Sequence, residues 1–279
     1  MNPSQRRLTQ GVQAAFLYNT VKEDKALTDA VTKAYVNMYA IMGTLEDLCR
    51  LVPAAGALVS NAEPVSVCFS VSGGPHAAVT FADGACCLKD DISCEECDII
   101  FEFSSCDDFN GMLAGTVQAA PIKGAEKMDF LAGTFLPLMG LMAKYLSPSE
   151  GDMADEAFFS ASTTLTLYVI AASIPQLAAH DEISIFSADH TPNGDMLFGV
   201  QGGPLVTFRV KDHKISLIKE PTENPCNYQT FANMQVAHEV FSGTADSVAY
   251  LGLGLVSMGG LIAISSSIGR IMDRVGIYL

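Results

Sequence analysis

The stretch at residues 226–260, CNYQTFANMQVAHEVFSGTADSVAYLGLGLVSMGG, decides the fold prediction because it contains four elements in a distinctive order. The predicted order is strand, helix, short helix and strand, at 228–232, 236–241, 245–251 and 254–258. The first helix ends at Gly243, since glycine readily adopts the left-handed conformation of a helix C-cap.

The same order of elements occurs upstream. The predicted strand, helix, short helix and strand are 99–103, 108–113, 119–124 and 127–131. The segment Phe241-Ser-Gly-Thr follows Leu113-Ala-Gly-Thr by 128 residues, and Gly202-Gly-Pro follows Gly73-Gly-Pro by 129. Two separate landmarks at nearly one offset predict that the chain carries one ancestral unit twice.

A duplication suits the length, since 279 residues fit two domains of about 130. The linker SPSEGD at 147–152 places the boundary between domains 1–150 and 151–279. Outside the repeated elements, further helices are predicted at 5–20, 22–58, 134–146, 155–179 and 261–275. Further strands are predicted at 65–71, 77–82, 85–92, 183–188, 196–201, 205–210 and 214–220. Hairpin turns are predicted at Asp83-Gly84 and at Asp212-His213. This is an α+β pattern, in which helices cover one face of a mostly antiparallel five-stranded sheet in each domain.

Composition and charge exclude several classes of partner. The formal net charge is −15 and both halves are acidic, so neither a nucleic-acid backbone nor an anionic membrane surface is an expected partner. The uncharged runs at 157–180 and 247–269 are long enough to span a membrane, but proline, glycine and hydroxyl residues interrupt them, and we expect buried helices. The N-terminus shows no signal peptide, and reduced cysteines fit a cytoplasmic protein.

The repeated motifs resemble the sterol carrier protein 2 family, present twice. In the second half they are VFSG at 240–243 and GLVSMGG at 254–260. In the first half they are DIIFEFS at 98–104, DDF at 107–109, MLAG at 112–115 and KMDFLAG at 127–133. The chain departs from the family pattern at Thr116, Thr244 and Leu255, which replace lysines, and at Glu126, which replaces a glycine.

The resemblance implies a hydrophobic tunnel between sheet and helices, which binds a fatty acyl chain, a sterol or another lipid without catalysis. It also suggests an internal pseudo-dimer of the two repeats. The candidate lining residues are large and apolar: Phe101, Phe103, Phe109, Leu113, Met128, Phe130, Phe135, Met139 and Met142 in the first unit, and Phe208, Phe231, Phe241, Leu255, Met258, Ile262 and Ile264 in the second. Each of them has an alternative interpretation as ordinary core.

Two other classes of function stay open. The duplicated domains could be a structural or protein-interaction module whose cavities have filled in. The Cys94-x-x-Cys97 pair, with Cys86, Cys87 and Cys106 nearby, has half the pattern of a zinc or redox site. Its partner pair is missing, and the acidic residues around it suggest a solvated edge. No nucleotide-binding or nucleophile motif occurs, so we expect no catalytic residue, cofactor or metal.

Overall fold

The computed structural model describes residues 28–60 and 63–279. The predicted helix at 5–20 and the start of the one at 22–58 lie outside these residues. The described part of the chain forms two compact units, which divide between Leu165 and Thr166 and are called unit 1 and unit 2 below. The domain boundary at 150/151 stays a prediction from the linker composition.

The described part of unit 1 begins with three helices. Helix α1 (Ala30–Val36) starts at Asp29, whose carboxylate accepts hydrogen bonds from the amides of Val31 and Thr32, and it continues as a π-helical segment, Asn37–Met42. Helices α2 (Thr44–Leu51) and α3 (Pro53–Ser60) follow. The single helix predicted at 22–58 is therefore interrupted. One break precedes Pro53, because the residue before a proline is disfavoured in helical conformation.

The sheet of unit 1 has four strands: β1 (Val65–Val71), β2 (His76–Ala82), β3 (Ala85–Lys89) and β4 (Ile99–Phe103). Their order is β3-β2-β1-β4, with β1 and β4 parallel and the other pairs antiparallel. The predicted hairpin turn is confirmed. Asp83 and Gly84 both have positive φ, 50° and 80°, as a type I′ turn requires.

The rest of unit 1 is helical and corrects two predictions. After α4 (Cys106–Leu113), residues 119–124 form no helix, and the strand predicted at 127–131 is helical. It consists of α5 (Met128–Phe130) and a π-helical segment, Leu131–Phe135, which lead into α6 (Leu136–Leu146). The helical spacing of the buried residues explains this outcome. They include Phe130, Thr134, Leu138, Met142 and Leu146, with Leu131 and Phe135 beside them.

The long helix α7 (Glu156–His180) contains the division between the units, and its residues from Thr166 onwards belong to unit 2. The next helix, α8 (Glu182–Asp189), corrects the strand predicted at 183–188. Asp181 caps it by accepting a hydrogen bond from the Ser184 amide at 2.9 Å, and its buried residues Ser184, Ser187 and Ala188 have helical spacing.

The sheet of unit 2 has five strands: β5 (Gly194–Val200), β6 (Leu205–Lys211), β7 (Lys214–Ile218), β8 (Asn227–Phe231) and β9 (Val256–Gly260). Helices α9 (Met234–Phe241) and α10 (Ser247–Gly252) lie between β8 and β9, and α11 (Ile262–Tyr278) ends the chain. The strand order is β7-β6-β5-β8-β9, with β5 and β8 parallel and the other pairs antiparallel.

Both units are thus α+β, but the sheet prediction needs two corrections. Each sheet is mixed because it contains a parallel pair, and the sheet of unit 1 has four strands instead of five. The fifth strand is missing because the segment corresponding to β9 follows a helical burial pattern in unit 1.

The two sheets share topology and matching hydrogen bonds. The amide of Ser72 donates to the carbonyl of Phe103, and the amide of Gln201 donates to the carbonyl of Phe231. The carbonyls of Pro75 and Pro204 likewise accept from the last residues of β1 and β5. The tight turn at Asp212 and His213, φ 51° and 65°, matches the turn in unit 1.

A buried charged group joins α11 to the junction of α7 and α8. Both oxygens of the Asp181 carboxylate accept hydrogen bonds from the Arg274 guanidinium, at 2.7 and 3.2 Å. Tyr278 Oη and the Ser184 hydroxyl also donate to it, at 2.9 and 2.7 Å. Burial alone would raise the pKa of Asp181, but these hydrogen bonds outweigh burial and lower the pKa to about 2.

Candidate functional site

Five of the predicted lining residues of unit 1 lie in a buried aromatic cluster on the inner face of its sheet. They are Phe101 and Phe103 from β4, Phe109 from α4, and Phe130 and Phe135. The predictions missed two central members, Phe69 and Phe81. The rings of Phe69 and Phe101 stack with centroids 5.4 Å apart, and the Phe81 ring meets those of Phe130 and Phe135 at 5.3 and 6.1 Å. The alternation of buried residues along β1 and β2 was the signal that could have found both.

The other four candidates of unit 1 differ in exposure. Met142 is buried and Leu113 and Met139 are half-buried. Met128 is 51% exposed. These residues lie on helices α4, α5 and α6, which follow the strands in the chain.

Unit 2 has a smaller aromatic cluster in the matching place. The Phe231 ring contacts the rings of Phe198 and Phe241, with centroids 5.7 and 5.1 Å apart, and Phe198 also meets Phe208 at 5.7 Å. Phe208, Phe231 and Phe241 were predicted, and Phe198 was missed. Its alternation with Met196 and Val200 on β5 could have indicated it. Ring contacts of this kind are typical of a packed core.

The remaining candidates of unit 2 are Leu255, which is half-buried, Ile264, which is buried, and Met258 and Ile262, which are exposed. The last two belong to a larger set of exposed apolar residues, which we call the apolar segment. Its members lie within residues 248–262, on α10, on β9 and around the start of α11: Val248, Leu251, Leu253, Met258, Leu261 and Ile262. Val248, Leu253 and Ile262 are 73%, 71% and 80% exposed. Helix α10 contacts β9 and has no buried residue, so it covers the sheet incompletely.

One buried polar group lies next to the apolar segment. Asn227, the first residue of β8, pairs with Gly260 of β9, and its Nδ2 donates to the Leu261 carbonyl and to Ser265 Oγ at 3.1 and 2.7 Å. Its Oδ1 is buried and has no hydrogen-bond partner among the described residues. A buried acceptor without a donor costs about 1–3 kcal/mol, so this oxygen is suited to accept a hydrogen bond from a molecule that the chain itself does not supply.

A cleft of about 390 Å³ lies in unit 1, away from the aromatic cluster. Its walls include Lys144, Tyr145, Asp152, Asp155 and Phe158. The ammonium of Lys144 lies 3.0 Å from the Asp152 carboxylate. None of the predicted lining residues borders this cleft, and its mixed polar walls differ from an apolar tunnel.

Several of the cysteines named for the alternative metal or redox site are dispersed. Cys86 and Cys87 lie on opposite faces of β3, buried and exposed respectively. Cys86 Sγ is 3.5 Å from Cys49 Sγ, and this contact and burial raise the pKa of the Cys86 thiol. Cys106 directs its thiol to the Gly73 carbonyl at 3.8 Å. The alternative metal site, as proposed from these residues, is therefore not assembled.

A different group forms around Cys94, with two residues that the sequence analysis did not connect to it. Cys68 of β1 is joined to Cys94 by a disulfide, and His76 Nδ1 lies 4.0 Å from Cys68 Sγ and 3.6 Å from Cys94 Sγ. The three ligand atoms lie within 4.8 Å of one another.

Among the helices that the structure describes, α7 is long and apolar enough to cross a membrane. More than half of its most apolar 18-residue window, 56%, is buried, as in the core helix of a soluble protein. The second apolar run, 247–269, divides among α10, β9 and the start of α11, in agreement with the helix, strand and helix predicted at 245–251, 254–258 and 261–275.

The chain is thus an α+β protein with two mixed sheets, and comparisons with known proteins add little to this description. No protein-family model matches it, and no curated protein matches it in sequence. One similar solved structure is the sterol carrier protein domain 2 of Helicoverpa armigera, which is 12% identical. The match covers 40% of this chain and 88% of that one, with a TM-score of 0.33. A likeness this weak supports no conclusion about function.

Proposed function

We propose that this protein is a non-enzymatic binding or carrier protein for a lipid-like ligand, built from two copies of one ancestral unit. The observation that carries the proposal is the apolar segment of unit 2, in which six large apolar side chains stay exposed within residues 248–262. Large contiguous apolar surfaces on soluble proteins are typical of binding sites. The acidic net charge favours a neutral apolar ligand over a phosphate-rich one.

The shared features of the two units support the duplication. Strand order, the parallel pair, the positive-φ turn and the hydrogen bonds at the ends of β1 and β5 correspond at the sequence offsets of 128 and 129. The backbone hydrogen bonds correspond at the same offsets as the sequence landmarks, and this agreement favours a common origin of the two units. The internal pseudo-dimer and the cytoplasmic location remain predictions of the sequence.

The free Asn227 Oδ1 supports one class of ligand. An acyl chain or ring system could cover Leu253 and Ile262, and a hydroxyl or protonated acid group could donate to this oxygen once the ligand displaces the residues that bury it. Sterol-like alcohols and protonated fatty acids have such a donor, and esters and hydrocarbons do not. The wild-type protein should therefore bind a fatty alcohol about fivefold more tightly than its methyl ether, which corresponds to a net hydrogen bond of about 1 kcal/mol.

The experiment that tests the binding site is a titration with a fluorescent fatty acid and a fluorescent sterol. The double variant Leu253→Ser/Ile262→Ser removes apolar atoms from the exposed segment without opening a core cavity. If a ligand covers about half of each side chain, affinity should fall by about 2 kcal/mol, roughly thirtyfold. Phe186→Ser is the matched control, because Phe186 is 63% exposed on α8, outside the segment. Equal affinity of the double variant and the control would refute this site.

The second candidate function is a structural or protein-interaction module. The ring contacts in both aromatic clusters favour it, since they occupy the places where the lining of a tunnel was predicted. This candidate predicts that the wild-type protein takes up neither fluorescent ligand.

A further inference from the structure

We propose that reduced unit 1 binds one Zn²⁺ through Cys68, His76 and Cys94, with Cys97 as the fourth ligand. The site lies on the outer face of the sheet, because Cys68 alternates along β1 with Phe69, which faces the aromatic cluster. It is separate from the proposed lipid site in unit 2.

The distances between sulfur and nitrogen fit a tetrahedral zinc ion. With Zn–S of about 2.3 Å and Zn–N of about 2.0 Å, a tetrahedron places sulfur and nitrogen ligands about 3.6 Å apart. His76 Nδ1 lies 3.6 Å from Cys94 Sγ and 4.0 Å from Cys68 Sγ. The two sulfurs form a disulfide in the structure, so the metal site belongs to the reduced protein, in which they can separate to about 3.8 Å.

The histidine is oriented as a metal ligand. His76 Nε2 lies 3.0 Å from the carbonyl oxygen of Ile92. A carbonyl only accepts hydrogen bonds, so Nε2 carries the proton and Nδ1 presents its lone pair to the sulfurs. Histidines that bind zinc commonly donate their other ring N–H to a carbonyl or carboxylate in this way.

The fourth ligand is assigned from the spacing and burial of the cysteines. In the structure, Cys97 Sγ lies outside the group of three ligand atoms and points to the Ser93 carbonyl at 3.7 Å, so its side chain has to turn towards the ion when zinc binds. Cys94 and Cys97 have the C-x₂-C spacing of zinc sites and are joined by a tight turn, in which the Cys97 amide donates to the Cys94 carbonyl at 3.0 Å. Cys97 is buried in one apolar cluster with Cys68, and Cys94 packs against that cluster. Lys123 Nζ donates to the carbonyls of Glu95 and Cys97 at 2.9 and 2.7 Å, which fixes the turn and places a positive charge beside the thiolates.

Bound zinc would connect the turn between Cys94 and Cys97 to strands β1 and β2. Each cysteine ligand loses its thiol proton when it binds zinc, so binding three thiols releases up to three protons and no electron is transferred. Because the metal binds the folded arrangement, zinc should also raise the melting temperature of the reduced protein.

In the test, full-length protein is purified with a phosphine reductant and without added metal. Its zinc content is then measured by elemental mass spectrometry. We expect about one zinc per chain in the wild type and almost none in Cys94→Ser, whose mutated side chain lies in a half-buried loop. Cys87→Ser is the matched control, because Cys87 is exposed and lies apart from this group, and it should keep its zinc. Circular dichroism establishes that each variant is folded.

Cobalt substitution gives a second readout. Co²⁺ added to the reduced, metal-free protein should produce the visible bands of tetrahedral cobalt and a thiolate charge-transfer band, and Cys97→Ser should weaken the latter. Three results would overturn the proposal: reduced wild-type protein that takes up neither metal, zinc retained at full stoichiometry in Cys94→Ser, or a Cys68–Cys94 disulfide that persists in the reductant.

Discussion

Removing the charge of Asp181 should destabilise unit 2 strongly. In Asp181→Asn, the buried Arg274 guanidinium loses its counter-ion, and the hydrogen bonds from Tyr278 and Ser184 lose their charged acceptor. The side chains of Asp181 and Arg274 are only 4% and 11% exposed, so water cannot replace the lost carboxylate. Breaking a buried ion pair by removing one partner costs about 3–5 kcal/mol. For a unit of this size, that loss corresponds to a fall in melting temperature of roughly 10–20 °C.

The matched control is Asp195→Asn. Asp195 also accepts two hydrogen bonds from an arginine, Arg209, at 2.9 and 2.7 Å, but this pair is at the surface. An exposed pair contributes up to about 1 kcal/mol. Urea denaturation followed by circular dichroism gives both free energies of unfolding. A loss for Asp181→Asn no larger than that of the control would refute the account of this group as the anchor of α11.

The same carboxylate predicts a pH dependence with a definite sign. The pKa of Asp181 is lowered to about 2 in the folded protein, below its usual value of 3.8. The folded state therefore binds this proton less readily than the unfolded state, and the stabilisation is present above about pH 4 and is lost as the pH falls towards 2. Asp181→Asn should remove this part of the acid dependence of unfolding.

Three further predictions concern single side chains. Phe231→Ala should cost about 3–5 kcal/mol of stability, because it opens a cavity among the rings of unit 2. The control Phe186→Ala, at an exposed position, should cost under about 1 kcal/mol. Urea denaturation measures both free energies of unfolding. Burial lowers the pKa of His238, so stability should fall as the pH drops below about 6.5, and His238→Gln should flatten that slope in thermal melts. His213→Gly should stabilise the protein by about 0.5–1 kcal/mol, because glycine adopts its positive φ of 65° without strain, and an unchanged or lower melting temperature would contradict this.

The parts of the fold that the sequence predicted well have strong local signals. The strands β1 and β4 were predicted with the bounds that the structure has, since alternating apolar residues and neighbouring turns define them. The hairpin turns at Asp83 and Asp212 were predicted from residue types that tolerate positive φ.

The wrong secondary-structure predictions concern segments whose conformation depends on which of their residues become buried. Residues 127–131 and 183–188 are segments of five and six residues, and periodicity alone cannot distinguish a strand from a helix over such a length. Tertiary packing of Phe130 and capping by Asp181 decided for helix.

The candidate sites were predictable only in part for the same reason. The resemblance indicated most of the apolar side chains, but which of them become exposed depends on how far α10 covers the sheet. Pairing of β1 with β2 brings Cys68 and His76 to one face, and the turn that contains Cys94 packs against that face. In the sequence, only the C-x₂-C spacing was visible.

The central claim is that this protein binds an apolar ligand, and the most direct measurement is native mass spectrometry of full-length protein purified from cells. The account predicts a bound lipid-like molecule with a hydroxyl or acid group on a substantial fraction of the chains, which organic extraction releases. Ligand-free protein in repeated preparations, together with no uptake of a fluorescent fatty acid or sterol, would contradict it.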